Sequence, residues 1–266
     1  MIIVILKNIK DYTKNVKKHL SAQIKAFTTP PSLAIVQVGN NEASNRYVRN
    51  KIKDCEEIGI TAHRYWFPEE ISEEGLIAEV QEISNNYDGV IVQLPLPLHL
   101  RKDMIIAAVP KEKDVDGFRV DSEFKPATPL GIMKYLEYCD FDLCGKDVLI
   151  IGRSDIVGKP LARMMTDADA TVTLAHSKSK KLYEKHICNS DLIICAVGKS
   201  KFLNCFPIHI PVIDVGINFD ENGKMCGDCF NTDYRDVTPV PGGVGLLTRC
   251  ALLENVVKAK LLNERW

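Results

Sequence analysis

Apolar and polar positions along the 266-residue chain fall into two repeating patterns. Short unbroken apolar runs end at Gly, Pro or Asn. Longer stretches place apolar residues three or four apart among charges. The first pattern predicts buried strands of parallel sheets, the second amphipathic helices. Residues 9–27 carry Ile9, Val16, Leu20 and Ile24 at helical intervals, and Pro30-Pro31 breaks them. Residues 33–38 predict a strand, 43–58 a helix closed by Gly59, and 61–67 another strand. A helix capped by Ser72 and a strand over 88–93 follow. After a linking helix over 130–138 the alternation resumes. Strands are expected at 148–151, 170–175, 191–197 and 211–215. A helix should follow the first of these, with Ile156, Val157, Leu161 and Met164 on one face. A long helix from Gly245 to about Leu262 ends the chain. Residues 1–6 predict an edge strand or strand-like arm, since they lack the basic start and cleavage site of a secretory leader.

This alternation argues for an α/β fold with helices on both faces of parallel sheets. The most suggestive glycine turn begins near residue 152, so a whole α/β unit precedes it. The expected architecture is an N-terminal three-layer α/β domain, residues 1–125, then a Rossmann-like domain, residues 126–244. The last helix, residues 245–266, is expected to return to the first domain.

That turn reads Asp147-Val-Leu-Ile-Ile-Gly-Arg-Ser-Asp-Ile-Val-Gly-Lys-Pro160. Strand, glycine turn and helix N-terminus are the parts of a dinucleotide-phosphate site, because free N–H groups and the helix dipole favour a pyrophosphate. Gly152 and Gly158 frame it, Ser154 stands where a glycine is common, and Pro160 suits a first helical turn. The next strand ends at His176-Ser177-Lys178, without the acid that usually holds a bare ribose in NAD sites. Ser177, Lys178 and Arg153 offer hydroxyl and cationic donors instead, which favours NADP. Lys180 and Lys181 read as a solvated helix start.

Composition narrows the classes. A net charge of −1 gives no broad basic surface for nucleic acid or anionic membrane. No apolar run approaches the roughly 18 residues of a membrane span. Nine scattered cysteines, with Cys188, Cys195 and Cys250 in apolar runs, suit buried thiols in a reducing cytoplasm. Cys226-Gly-Asp-Cys229 has no second pair to complete a metal site and reads as two semi-buried cysteines; no metal is expected.

Tyr47 and Lys51 stand four apart and share a helical face. A partly desolvated lysine there could act as a base or stabilise negative charge. Gln93 ends a buried strand before Pro95 and Pro97, at the strand end where open α/β sheets bind ligands. In Lys113-Asp-Val-Asp-Gly117, Asp114 and Asp116 would point the same way if the segment were extended, and Gly117 allows a turn that presents one of them. Thr238-Pro-Val-Pro-Gly-Gly-Val-Gly245 is stiff at its prolines and lets backbone approach a flat ligand at Gly242 and Gly243.

Together these motifs, with Gln93-Leu-Pro-Leu-Pro97 and Pro126-x-Thr-Pro129, closely resemble the methylenetetrahydrofolate dehydrogenase/cyclohydrolase family, in order over nearly the whole chain. The resemblance implies a two-domain cytoplasmic homodimer with a folate cleft between its domains. It implies NADP-dependent oxidation of 5,10-methylenetetrahydrofolate, then hydrolysis of the methenyl product to 10-formyltetrahydrofolate. Position by position, Lys51 matches the catalytic lysine, Tyr47 its folate-orienting partner, Gln93 the residue that tunes it, and Asp116 the acid on the pterin edge. Leu94, Pro241, Gly242 and Gly243 match folate-binding positions. Gly152, Arg153, Ser154, Gly158, Ser177 and Ile217 match cofactor positions. Three departures stand out. The segment from Arg119 to Lys125 is short. Asp155 replaces a usual Asn and should weaken cofactor binding unless it caps the helix. Leu246 replaces a usual proline and should loosen the start of the final helix. A short-chain dehydrogenase would carry the glycine turn before the Tyr/Lys pair, the reverse of the order here. The intact Lys51, Gln93 and Asp116 argue against a non-catalytic binding protein.

Overall fold

The computed structural model describes residues 6–179, 185–230 and 236–264. Residues 1–5 of the proposed arm, and Lys180 and Lys181, lie outside them. Packing divides the described chain into two units: one within Asn15–Ala127 and Arg249–Trp266, the other within Met1–Lys14 and Thr128–Thr248.

The first is built on strands β1 (Ser32–Val38), β2 (Thr61–Phe67) and β3 (Gly89–Val92), parallel and ordered β2-β1-β3. Leu33 of the central strand lies opposite both Ala62 and Gly89. Its helices are α1 (Ile9–Ile24), of which only the later part belongs here, α2 (Glu42–Ile58), α3 (Glu73–Ser84) and α4 (Lys102–Ala108). Local chemistry fixes their ends. Gly59, at φ 95°, takes the left-handed position that closes α2 and donates to Cys55 O. Ser72 Oγ accepts the Gly75 N–H at 3.1 Å, as an N-cap should. Ala34, Val36, Leu76, Val80, Val90 and Val92 fill the core. The chain reverses its direction of travel across the sheet between β1 and β3. A crevice therefore opens beyond their carboxyl ends, where Gln37 and Gln93 sit.

The final helix, α7 (Val244–Asn263), belongs to this unit from Arg249 onward. Arg249 pairs with Asp54 of α2 at 3.1 Å. Asn255 Nδ2 donates to Val115 O at 2.8 Å and to Lys125 O at 3.1 Å. The helix thus returns to the first unit, as expected.

The second unit holds α5 (Ala127–Tyr138, from Thr128 on), β4 (Asp147–Ile151), α6 (Gly158–Thr166), β5 (Thr171–Ala175), β6 (Leu192–Cys195) and β7 (Val212–Asp214). Its four strands are parallel in the order β5-β4-β6-β7, so the switch point lies between β4 and β6. A small antiparallel pair, β8 (Asn218–Phe219) with β9 (Met225–Cys226), follows. The earliest described residues pack here: Leu6 N–H donates to Asp236 at 3.0 Å, and the Tyr12 ring lies 5.2 Å from that of Tyr138.

Two details differ from the sequence expectation. Helix α6 begins at Gly158, with Ile156 and Val157 in the turn before it; Leu161 is buried as expected, Met165 is buried too, and Met164 is half-buried. Cys188 is exposed because it ends a helical turn, whereas Cys195 and Cys250 are buried. Cys226 is half-buried, Cys229 buried, and both are free thiols.

Candidate active site

In the first unit the chemistry gathers on α2. Asn41 caps the helix by accepting the Ser44 N–H at 3.0 Å. Ser44, Tyr47 and Lys51 then follow at i, i+3 and i+7, on one face. Lys51 Nζ lies 3.7 Å from Asp116 Oδ2, with 7% of each side chain exposed. Two opposite charges are thus held close together away from water. Burial pushes the Asp116 carboxyl above its ordinary value of 3.8, against the opposing pull of Lys51.

The segment carrying Asp116 is a turn and not an extended strand. Gly117 N–H donates to Asp114 O at 2.9 Å. Gly117 sits at φ 69°, and a Cβ there would meet Pro126 N at 2.6 Å. The two carboxylates therefore part. Asp114 accepts the Arg119 N–H at 2.8 Å, while Asp116 faces Lys51. Burial raises Asp114 as well, opposed chiefly by that N–H.

Gln93 stands directly after β3, its N–H bound to Val36 O at 2.8 Å. Its Nε2 donates to Leu94 O at 2.7 Å, and its Oε1 is buried with no partner among the described residues. Gln37 Oε1 and Ser44 Oγ are in the same condition. Orphaned buried acceptors are costly, and a ligand that donates hydrogen bonds relieves them. Leu94, next in the chain after Gln93, is half-buried and precedes a cis Leu94–Pro95 bond.

Sequence reasoning missed Ser44 and Arg249. Ser44 was findable from its i−3 spacing to Tyr47. Arg249 had no local signal: it reaches Asp54, three residues beyond Lys51, from the far end of the chain. Burial raises the Tyr47 phenol, and the Arg249 charge partly offsets the rise. Asp54 also accepts Lys17 Nζ at 2.7 Å, so α1, α2 and α7 share one carboxylate.

The short Arg119 to Lys125 segment is tightly fastened. Arg119 donates from its guanidinium to Ala107 O and Val109 O, and pairs with Asp121 at 2.8 Å. Glu123 N–H reaches Lys111 O, Phe124 is buried, and Asn255 holds Lys125 O.

In the second unit the nucleotide turn lies at the carboxyl end of β4. Gly152, at φ 123°, has Ala196 O only 2.1 Å from where a Cβ would stand. At Gly158 a Cβ would meet Gly152 O at 2.0 Å. No side chain fits at either position, so backbone closes upon backbone there. Just ahead of the helix, Ser154 Oγ accepts Val157 N–H at 3.2 Å and Gly158 N–H at 3.4 Å. Asp155 instead pairs with Lys159 at 2.6 Å, which offsets its charge. Arg153 is exposed, as are Ser177 and Lys178 in the turn after β5. Ile217 is 40% exposed between Gly216 and β8. A glycine cradle at a helix start with exposed cationic and hydroxyl donors fits a dinucleotide carrying an extra phosphate.

Pro241, Gly242 and Gly243 form a turn after a cis Val240–Pro241 bond. Pro241 is exposed, and a Cβ on Gly242 (φ 100°) would meet nothing within 4 Å. Gly243 is buried against Pro239 O. Leu246 does not loosen the final helix, which starts at Val244 with Leu246 N–H bound to Gly243 O.

Two family models cover the chain. The tetrahydrofolate dehydrogenase/cyclohydrolase catalytic domain matches residues 7–116, and the NAD(P)-binding domain of the same family matches residues 126–264. Bifunctional protein FolD of Lysinibacillus sphaericus is 42% identical over 272 residues, 95% of each chain. A bifunctional FolD methylenetetrahydrofolate dehydrogenase/cyclohydrolase from Campylobacter jejuni superposes with a TM-score of 0.90 at 39% identity, over 96% of this chain and 98% of that one. The Trypanosoma brucei enzyme, solved with NADP and an inhibitor, gives 0.91 at 27% identity over the whole of both chains. With both domains matched and the identity sustained from end to end, the chain belongs to the tetrahydrofolate dehydrogenase/cyclohydrolase family.

Proposed function

We propose that this protein oxidises 5,10-methylenetetrahydrofolate to the methenyl form with NADP+ and hydrolyses that product to 10-formyltetrahydrofolate. The observation that carries the reading is the buried Lys51–Asp116 pair, 3.7 Å apart, in a unit that also leaves Gln93 Oε1 buried without a partner. NADP+, when bound, supplies the hydride acceptor.

The chain's own groups divide the remaining work. Asp116 accepts hydrogen bonds from the N–H donors of a pterin edge. Tyr47 lies against the folate and Leu94 bounds it; Pro241, Gly242 and Gly243 of the other unit are assigned to folate binding by their match to the family motif. Lys51 loses or holds a proton as water adds to the methenyl carbon. Gln93 orients that amine. Ser44 joins this group as a hydroxyl able to hold the water. Gly152, Ser154 and Gly158 cradle the pyrophosphate, Arg153 and Ser177 take the 2′-phosphate, and Ile217 packs on the cofactor. The functional domains we assign are residues 1–125 with 245–266, and residues 126–244. Most of the proposed folate residues fall in the first and all the cofactor residues in the second.

A homodimer in the cytoplasm completes the proposal, with no nucleic-acid or membrane partner. Strand β2 is a sheet edge with Trp66 51% exposed, a surface suited to a second copy. Free cysteines suit a reducing compartment, and no described helix is long and apolar enough to cross a membrane. The test is spectroscopic: purified protein with methylenetetrahydrofolate and NADP+ should accumulate NADPH, and added methenyltetrahydrofolate should lose its absorbance. Absence of both signals would refute the reading.

A further inference from the structure

The Cys226-Gly-Asp-Cys229 spacing matters for what lies between the cysteines. Asp228 is fully buried. Its Oδ2 accepts Val197 N–H at 2.6 Å and Gly198 N–H at 2.9 Å. Its Oδ1 accepts Lys199 N–H at 2.8 Å and Asn218 Nδ2 at 2.8 Å. Three successive N–H groups converging on one point make a nest that ordinarily holds an anion. Here the protein fills the nest with its own carboxylate. Gly198, at φ 69°, lets the three groups converge.

Asp214 holds Asp228 in turn. Its carboxylate accepts the N–H groups of Gly216 at 2.9 Å, Asp228 at 2.9 Å and Cys229 at 2.8 Å. The arrangement leaves no room for side chains at 216 or 227. A Cβ on Gly216 would stand 2.1 Å from Asp228 Oδ1, and one on Gly227 would stand 1.9 Å from Asp214 Oδ2.

The clamped loop, residues 196–199, follows β6 at the switch point of its sheet. In planar trans peptides each carbonyl points opposite to the next N–H. With three N–H groups turned to Asp228, the carbonyls of Ala196, Val197 and Gly198 face away from it. Ala196 O does lie against Gly152, in the nucleotide turn. Ile217 is fixed by the same carboxylates, between Gly216 and Asn218. We propose that Asp228 is a positioning residue for NADP+. It holds the loop after β6 as an acceptor-lined rest for the uncharged nicotinamide and ribose donors, and keeps phosphate out of that loop. The inference rests on the functional reading above and extends it to a residue that does not touch the cofactor.

The test is Asp228→Asn, in which an amide NH2 replaces one acceptor. Calorimetric titration should give an NADP+ Kd raised about tenfold, with KM for NADP+ following. Amide exchange at residues 197–199 should quicken. Hydrolysis of methenyltetrahydrofolate without nucleotide should fall much less. An unchanged Kd in folded D228N, or equal loss of both activities together with thermal stability, would overturn the proposal. Should D228N not fold, Asn218→Ala decides: it removes one of the four bonds, and a Kd for NADP+ unchanged from wild type overturns the proposal. Wild-type protein that binds no NADP+ would instead overturn the functional reading itself, and this inference with it.

Discussion

The two candidate sites sit at equivalent places in their sheets, yet they are made of different material. Each lies at the carboxyl ends of parallel strands, beside a switch in strand order. In the β1–β3 unit the working groups are side chains on a helix and a strand end, with Lys51 and Asp116 buried. In the β4–β7 unit the turn is backbone, held by glycines that admit no Cβ, and its cations are exposed. A proton-transfer site needs charges whose behaviour is altered by loss of water. A site for a dinucleotide needs close approach and preset N–H groups, and can leave its charges solvated.

Substitutions can break this contrast. The largest effect is expected from Lys51→Met, which should lower the cyclohydrolase rate on the order of 10³-fold while dehydrogenase activity falls less. Unchanged hydrolysis would remove the lysine from its role. Gly152→Ala should do the reverse. A methyl group against Ala196 O should weaken NADP+ binding and destabilise the protein by about 3 kcal/mol. Hydrolysis without nucleotide, measured at a temperature where the variant is folded, should survive.

Asp116→Asn should weaken folate binding by about 2–3 kcal/mol, read as substrate Kd. Its carboxyl titrates above 3.8, so folate binding by the wild type should fail as pH drops through that raised value. The Asn variant should lack this acid limb. An identical pH profile in both would assign the limb to another group. Smaller still, Arg153→Ala should raise KM for NADP+ about tenfold with little change for NAD+. Equal effects on both cofactors would place the 2′-phosphate elsewhere. Asp155→Asn should be the mildest, improving KM for NADP+ by less than about threefold, because its exposed charge is already paired with Lys159.

Much of the fold could be read from local punctuation. Gly59 and Ser72 end and begin helices by their own chemistry, and β2 occupies the predicted residues. Errors arose where the next determinant was distant or a phase had to be assumed. At α6 the expected Leu161 is buried, but the helix starts two residues later than the apolar spacing suggests, and Met165 is buried more deeply than Met164. Gly117 announces the turn that presents Asp116, but the partners that separate the two acids, Arg119 and Lys51, become visible only once that turn closes. The spacing of Tyr47 and Lys51 was local and so was legible, and Gln93 stood out at its strand end. Arg249 and Asp228 owe their places to contacts across the sequence, and nothing beside them announced these.

Asn255 grips Val115 and Lys125, the two sides of the loop that presents Asp116, from 140 residues downstream of Val115. A ribosome therefore delivers Lys51, Gln93 and Asp116 long before the clasp that steadies them. Nascent chains arrested short of Asn255 should capture no folate, however completely their first sheet has formed. The last hydrogen bonds on that loop are thus made late in translation, when the closing helix emerges.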